Sequence, residues 1–199
     1  QTVEDYAFAA SALSGRLNMP HLEQIGEAAF CGTSLYSIEA PSLTVIGRGA
    51  FEGNRTLLTF AFSPKISSVG ERAFYGCSSL IGFTVTSESG EGLSTAELGT
   101  FGRLLEGVLY TYLPSGGLQL ASVPAGKNVG VLEVMAGTVR VDAYAGNANP
   151  YIEKLILPDT LRLIGGYAFY GYKKLNTVEF RSFTAPVWEN SYDSNAKLT

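Results

Sequence analysis

Reactive side chains are sparse in this chain of 199 residues, which holds one histidine and two cysteines. A Ser-His-Asp or Cys-His mechanism would have to use His21, which lies between Pro20 and Leu22. No Gly-x-Ser-x-Gly elbow accompanies it, so His21 reads as a surface-loop residue and no catalytic residue is assigned. A structural zinc site needs about four Cys or His ligands at close spacing. One His and two separated Cys do not supply them, so neither a metal nor a cofactor is expected. Gly47-Arg48-Gly49 has the glycines of a phosphate loop but lacks its Lys. Glycoside cleavage needs two carboxylates about 5–9.5 Å apart in a cleft. The glutamates here are scattered, and the two at like strand positions, Glu39 and Glu179, lie far apart along the chain. Asn54-Arg55-Thr56 has the form of a glycosylation sequon.

The positioning elements are more informative than the reactive groups. Hydrophobic residues make up 46% of the chain and charged residues 16%, which excludes a disordered polyelectrolyte. A net charge of -4 offers no basic surface for nucleic acid. No apolar run reaches the length of a membrane span. One string recurs instead: Ile25-Gly26-Glu27-Ala28-Ala29-Phe30, Ile46-Gly47-Arg48-Gly49-Ala50-Phe51, Val69-Gly70-Glu71-Arg72-Ala73-Phe74 and Ile164-Gly165-Gly166-Tyr167-Ala168-Phe169. Weaker copies end in Ala7-Phe8 and in Ala143-Tyr144. The unit is about 22 residues long, with room for about three units between Phe74 and Tyr144. Between the strings lie Leu-x-x-Φ-x-Φ segments such as Leu57 to Phe62 and Leu80 to Val85.

A unit this short cannot bury its own apolar side, so stacked units must share one core. Alternation in Phe60-Ala61-Phe62 sends the aromatics inward. The Ala-Phe pairs suit a short turn of helix or 3₁₀-helix. The glycines after Ile and after Phe suit either positive φ or crowded corners. Coils stack about 4.8 Å apart, so Cys31 and Cys77, two coils apart, would be separated by about 10 Å. That exceeds the roughly 7 Å limit for a disulfide. Two free, mostly buried thiols are expected. Asn54, Cys77 and Asn147 are assigned to one ladder position, where a side chain can satisfy backbone of the adjacent coil.

The repeat resembles the BspA-like leucine-rich repeat, whose core pattern is Ile-Gly-x-x-Ala-Phe-x-Gly-Cys-x-x-Leu. Val69 to Leu80 fits at every defined position, with Val for Ile; Ile46 to Leu57 carries Asn54, and Ile164 to Leu175 carries Tyr172, at the Cys position. The resemblance covers roughly residues 3–85 and 139–180. It implies an α/β solenoid: a right-handed leucine-rich-repeat coil with a parallel β-sheet, short helical or 3₁₀ turns and an inserted β-hairpin. It further implies a non-enzymatic bacterial protein that is secreted or held at the cell surface.

The expected organisation is one solenoid domain over 1–199, with repeats at 1–85 and 129–182 and an insertion at 86–128. Residues 86–100 read as a polar loop. Two β-rich runs, 104–112 and 118–123, flank Pro114-Ser115-Gly116-Gly117 and read as a hairpin. The start at Gln1 and the end at Thr199 suggest a chain cut at both ends. With Phe60 and Phe62 inward, the exposed sheet face would carry Ser37, Glu39, Thr59, Ala61, Ser63, Thr84, Lys154, Thr177 and Glu179. Tyr110 and Tyr112 would mark the hairpin. The first expectation is recognition or adhesion through one of these surfaces, with a protein partner such as a host or extracellular-matrix protein. The second is a carbohydrate-binding or accessory module of a larger polysaccharide-handling surface protein, for which a line of exposed aromatic residues would be the sign.

Overall fold

A computed structural model describes residues 1–86, 92–182 and 184–188. The chain winds into a parallel-strand β-solenoid of about eight turns. Each repeat contributes a two-residue strand ahead of its Gly corner and a longer strand on the Leu-x-x-Φ-x-Φ segment. The short strands Thr2–Val3, Gln24–Ile25, Val45–Ile46 and Ser68–Val69 form one parallel ladder. The longer ones pair in parallel as Ser14–Asn18 with Ser34–Glu39, and Thr59–Phe62 with Gly82–Thr86. Farther on, Val131–Glu133, Lys154–Leu157 and Thr177–Phe180 form a third parallel ladder.

The expected helical turns are absent: the described residues contain strands and turns but no helix. The cause lies at the fourth position of the Ile-Gly-x-x-Ala-Phe string. Tyr6, Ala28, Gly49, Arg72, Tyr144 and Tyr167 all have φ between 50° and 59° there. One left-handed residue per corner reverses the chain and forbids a helical turn. The two glycine roles also separate. Gly32, Gly53, Gly76 and Gly171, two residues after Phe, have φ of 69–81°. Gly26, Gly47, Gly70 and Gly165, after Ile or Val, are crowded instead: a Cβ on Gly47 would stand 2.5 Å from Gly26 C.

Inside the corners runs a column of rings. Phe8, Phe30, Phe51 and Phe74 stack at 5.4–5.5 Å between centroids, nearly parallel. Phe60, Phe62 and Phe83 meet this column from the sheet side. The column stops where Ala143-Tyr144 was assigned as an Ala-Phe copy, and that assignment is two residues out of register. Val141 pairs with Ile164, which sets Tyr144 beside Tyr167 and Gly146 opposite Phe169. Gly146 stands there because the Tyr172 ring fills the space: a Cβ would meet Tyr172 Cε1 at 2.7 Å.

The same register makes Asn149, rather than Asn147, the counterpart of Asn54 and Cys77. Asn149 Nδ2 donates to Pro124 O and Lys127 O, both at 2.9 Å, and Cys77 Sγ donates to Phe51 O at 3.1 Å. Asn147 serves the preceding coil from another position, donating to Ser122 Oγ and Val123 O. Asn54 is fully buried. The amide orientation that satisfies both of its ends donates to Leu35 O at 2.8 Å and accepts from the Thr33 hydroxyl. The sequon is therefore part of the stack. Both thiols are free; Cys77 is buried, whereas Cys31 is half-exposed rather than buried.

The insertion is more elaborate than one hairpin. Residues 104–112 are not a single strand: Glu106 and Gly107, with φ of 50° and 74°, make a tight turn between Gly102–Leu105 and Val108–Tyr112. Two consecutive positive φ values are the signature of the two-residue hairpin turn that matches strand twist. Val108–Tyr112 then pairs antiparallel with Leu118–Ser122, which is the hairpin expected around Pro114. Ala96–Leu98 adds a strand within the stretch read as loop, and Gly92–Leu93 pairs back onto Thr86 and Val85. The Thr86 end of that loop is described; 87–91 lies outside the described residues. Leu118–Ser122 re-enters the parallel ladder beside Thr138–Val141. Side chains of Val108–Tyr112 alternate between two cores, Leu109 in the first and Val108 and Tyr110 in the second.

Candidate recognition surface

On the N-terminal coils Thr59 stands opposite Gly82 and Ala61 opposite Thr84, while Ser37 and Glu39, one coil earlier, pair with Arg16 and Asn18. Thr59 and Glu39 are exposed; Ser37, Ala61 and Thr84 are half-buried. Glu39 forms an ion pair with Arg16 from the preceding coil. Asn18, Glu39, Ala61 and Thr86 line a shallow cavity of about 350 Å³ at the end of this face. Ser63, expected on the face, is buried because its hydroxyl donates to Pro41 O at 2.9 Å.

The later coils carry Lys154, Thr177 and Glu179 on a separate ladder. Lys154 Nζ lies 2.7 Å from Glu179 Oε2 and holds that carboxyl below its ordinary pKa. Both partners are exposed, so the pair adds little stability. Thr177 Oγ1 donates to Asn176 Oδ1. The strands of the insertion separate this ladder from the first.

The two hairpin tyrosines part company. Tyr112 is exposed and donates to Glu97 Oε2 at 3.0 Å. Tyr110 is 1% exposed and so cannot contact a ligand from the surface. Its hydroxyl accepts from Met135 N–H at 3.2 Å, and burial pushes its pKa up to about 12. Alternation in the strand puts Tyr110 inside and Thr111 outward.

One ladder on this surface holds two residues, Leu58 and Ile81, that escaped the sequence reading. Tyr36, Leu58 and Ile81 occupy the first x of Leu-x-x-Φ in three successive coils and are 52%, 51% and 52% exposed. Leu58 N–H donates to Tyr36 O and Ile81 N–H to Leu58 O, so the three stand directly above one another. The available signal was three apolar residues at one repeat position that no inward face requires. Beside them are Ser37, Thr59 and Gly82, which add little bulk.

A row of tyrosines also crosses the coils. Tyr75 meets Tyr144 at 5.5 Å, Tyr144 stacks on Tyr167 at 5.2 Å, and Tyr167 meets Tyr170 at 6.0 Å. Arg72 lies over the Tyr75 and Tyr144 rings at 4.9 and 4.7 Å and pairs with Glu52. Tyr144 and Tyr167 meet face to face, the other two contacts are edge to face, and the guanidinium covers Tyr75 and Tyr144, so the row braces the coils across the insertion.

Nothing in this arrangement gathers reactive groups. His21 is exposed, and among the described residues no three His, Cys, Asp or Glu side chains come together. No described helix is long and apolar enough to cross a membrane.

Comparison with known proteins agrees with this architecture. A leucine-rich cell surface protein from Faecalibacterium prausnitzii is 21% identical with a TM-score of 0.55, covering 80% of this chain and 45% of its own. A leucine-rich repeat protein from Eubacterium ventriosum is 18% identical with a TM-score of 0.66, over 91% and 52%. The pneumococcal vaccine antigen PcpA is 22% identical with a TM-score of 0.63, over 89% and 48%. The chain thus spans about half the length of the solved chains it matches. Comparison with curated proteins gives no match. The family description that fits is "BspA type Leucine rich repeat region", with six copies over residues 1–101 and 139–199. With its corners, ladders and repeat register accounted for over most of its length, the chain belongs to the BspA-type leucine-rich repeat family.

Proposed function

We propose that the protein is a non-catalytic recognition module, secreted or at the bacterial cell surface, that holds a protein partner against the sheet face of its N-terminal coils. The observation that carries this reading is the Tyr36–Leu58–Ile81 ladder: three half-exposed apolar side chains in vertical register. An apolar stripe with a polar rim is the usual composition of a protein contact surface. Arg16, Glu39 and Thr59 supply the rim. Lys154, Thr177 and Glu179 offer a charged ladder suited to orienting a partner rather than anchoring it. Tyr112 is a lesser contact on the hairpin. Surface location is supported by the company of a cell surface protein and a vaccine antigen among similar folds.

A carbohydrate-binding or accessory role has one observation in its favour, the row Tyr75, Tyr144, Tyr167 and Tyr170. Sugar recognition by stacking needs free ring faces, whereas Tyr144 and Tyr167 stack on each other and Arg72 covers Tyr75 and Tyr144. The test pairs a glycan array with capture of surface proteins, comparing the wild-type chain with Leu58→Arg/Ile81→Arg. The reading expects capture of a protein that falls at least about tenfold in the double variant at unchanged thermal stability. Glycan binding together with protein capture indifferent to those substitutions would overturn it.

A further inference from the structure

Residues 66–86 form a coil whose outer edge lacks what its neighbours have. Along the N-terminal stack each coil presents the same backbone groups to the next. Glu23 O accepts from Thr44 and Val45 N–H, Ile25 O from Gly47, Thr44 O from Ser67 and Ser68, and Ile46 O from Gly70. In return Phe30 and Gly32 N–H donate to Ala50 O and Glu52 O, and Phe51 and Gly53 N–H to Ala73 O and Tyr75 O, all at 2.7–2.8 Å. On the 66–86 coil the equivalent groups are Ser67 O, Val69 O and the N–H groups of Arg72, Phe74 and Gly76, the first of them matching Ala28 and Gly49, which donate to Arg48 O and Glu71 O. None of them meets a hydrogen-bond partner among the described residues. Phe74 is 1% exposed, and its N–H has no acceptor among the described residues.

The reason is a shortened corner in the next turn of chain. Asp142 N–H donates to Leu120 O as Gly70 does to Ile46 O, and Val123 N–H donates to Ala145 O as Phe51 does to Ala73 O. Leu120-Ala121-Ser122-Val123 therefore spans what Val69 to Phe74 spans one coil earlier, with two residues fewer. It cuts inside and leaves a cleft of about 310 Å³ against the open edge. Phe74, Phe101 and Leu109 supply its apolar lining, and Ser68 and Gln119 line it too. Arg72, lying over the Tyr144 ring at 4.7 Å, is part of the same lining.

We propose that this cleft receives an extended peptide segment of a protein partner, which adds a strand to the Ser67–Val69 edge. The open groups decide the ligand class. Two carbonyls stand two residues apart and are followed by three N–H groups at two-residue spacing, on 72, 74 and 76. An extended backbone offers donors and acceptors at that period, as in other cases of strand addition. A glycan offers hydroxyls without it. The apolar floor takes the side chain of an alternate residue. This surface is distinct from the Tyr36–Leu58–Ile81 face, so the two proposals stand or fall separately.

The experiment uses the whole chain. Random heptapeptides are panned on the wild-type protein and on three variants of verified thermal stability: Ser68→Tyr and Gln119→Trp in the lining of the cleft, and Leu58→Arg on the sheet face. Enriched peptides are synthesised, and amide exchange at Phe74 is followed with and without them. The proposal expects peptides whose affinity falls about tenfold or more with Ser68→Tyr and with Gln119→Trp but not with Leu58→Arg. N-methylation at two alternate residues should cost about tenfold, while methylation of the residue between costs little. Phe74 exchange should slow about tenfold on binding. Peptides lost with Leu58→Arg alone would refute the cleft and leave the sheet face in place. Absence of enrichment over the cleft variants, binding that survives N-methylation, unchanged Phe74 exchange, or a cleft that drives only self-association would each overturn it.

Discussion

Two glycines six residues apart in the same repeat should respond very differently to the same substitution. Gly47 has an unremarkable backbone conformation but lies against the coil before it. A Cβ there would stand 2.5 Å from Gly26 C and 2.6 Å from Glu27 N, both backbone atoms that cannot swing aside. Gly53 is the reverse: its φ is 71°, yet the atoms nearest to a new Cβ are 4.0 Å away. The chain itself shows that alanine tolerates that corner, because Ala10 and Ala148 occupy the equivalent place with φ of 53° and 60°. Gly53→Ala should therefore cost about 1 kcal/mol, the lower end of the left-handed penalty for a residue with Cβ. Gly47→Ala forces two coils apart and should cost about 3 kcal/mol, the upper end for overpacking. For a chain of this size those values correspond to Tm losses of about 2–4 °C and about 6–12 °C. Urea and thermal unfolding of the two variants measure the difference. Equal losses, or a larger loss for Gly53→Ala, would refute the assignment of crowding to one glycine and φ to the other.

Other consequences can be measured on the same protein. Phe51 is fully buried between Phe30 and Phe74, so Phe51→Ala should cost about 3–5 kcal/mol in urea unfolding, and Phe8→Ala, at the exposed end of the column, clearly less. Burial raises the Cys77 thiol from 9.0 to about 12. The folded state thus keeps a proton that the unfolded chain releases, and stability should fall as pH rises from about 9 towards about 12. Cys77→Ala should flatten that slope, leaving the part due to the other groups that folding raises, chiefly the buried Tyr110 and Tyr172, and native Cys31 should be alkylated well before Cys77. Passage through a eukaryotic secretory pathway should leave Asn54 without glycan by mass spectrometry, because its amide is locked in the stack.

The repeat was legible because stacking demands the same residue type at the same place each turn. Gly-x-x-Ala-Phe recurs since close approach and a ring column leave few alternatives. What the sequence concealed were exchanges between positions. Tyr172 fills the space of a missing Phe, so Gly146 looks like a turn glycine and Tyr144 like a core aromatic until the Val141–Ile164 pairing fixes the register. The left-handed corner was hidden because Tyr6, Ala28, Arg72, Tyr144 and Tyr167 adopt it without being glycine. Tertiary stacking holds them there against local preference. Glu106-Gly107 was passed over as part of a strand, although a Gly there is a hairpin-turn signal. Thr59 and Glu39 are exposed as the strand alternation requires, but Leu58 and Ile81 were passed over because an apolar residue beside a core strand does not show which way it points.

The proposal of a protein-binding sheet face is tested most directly by photo-crosslinking. Benzoylphenylalanine is placed at Leu58, on the apolar ladder, or at Arg162, exposed on the later coils, and the full chain is irradiated with intact cells or extracellular proteins. The account predicts a discrete protein adduct from position 58 that Tyr36→Arg suppresses, and none of that adduct from position 162. Adducts of equal yield from both positions, or a glycan bound while position 58 captures nothing, would contradict it.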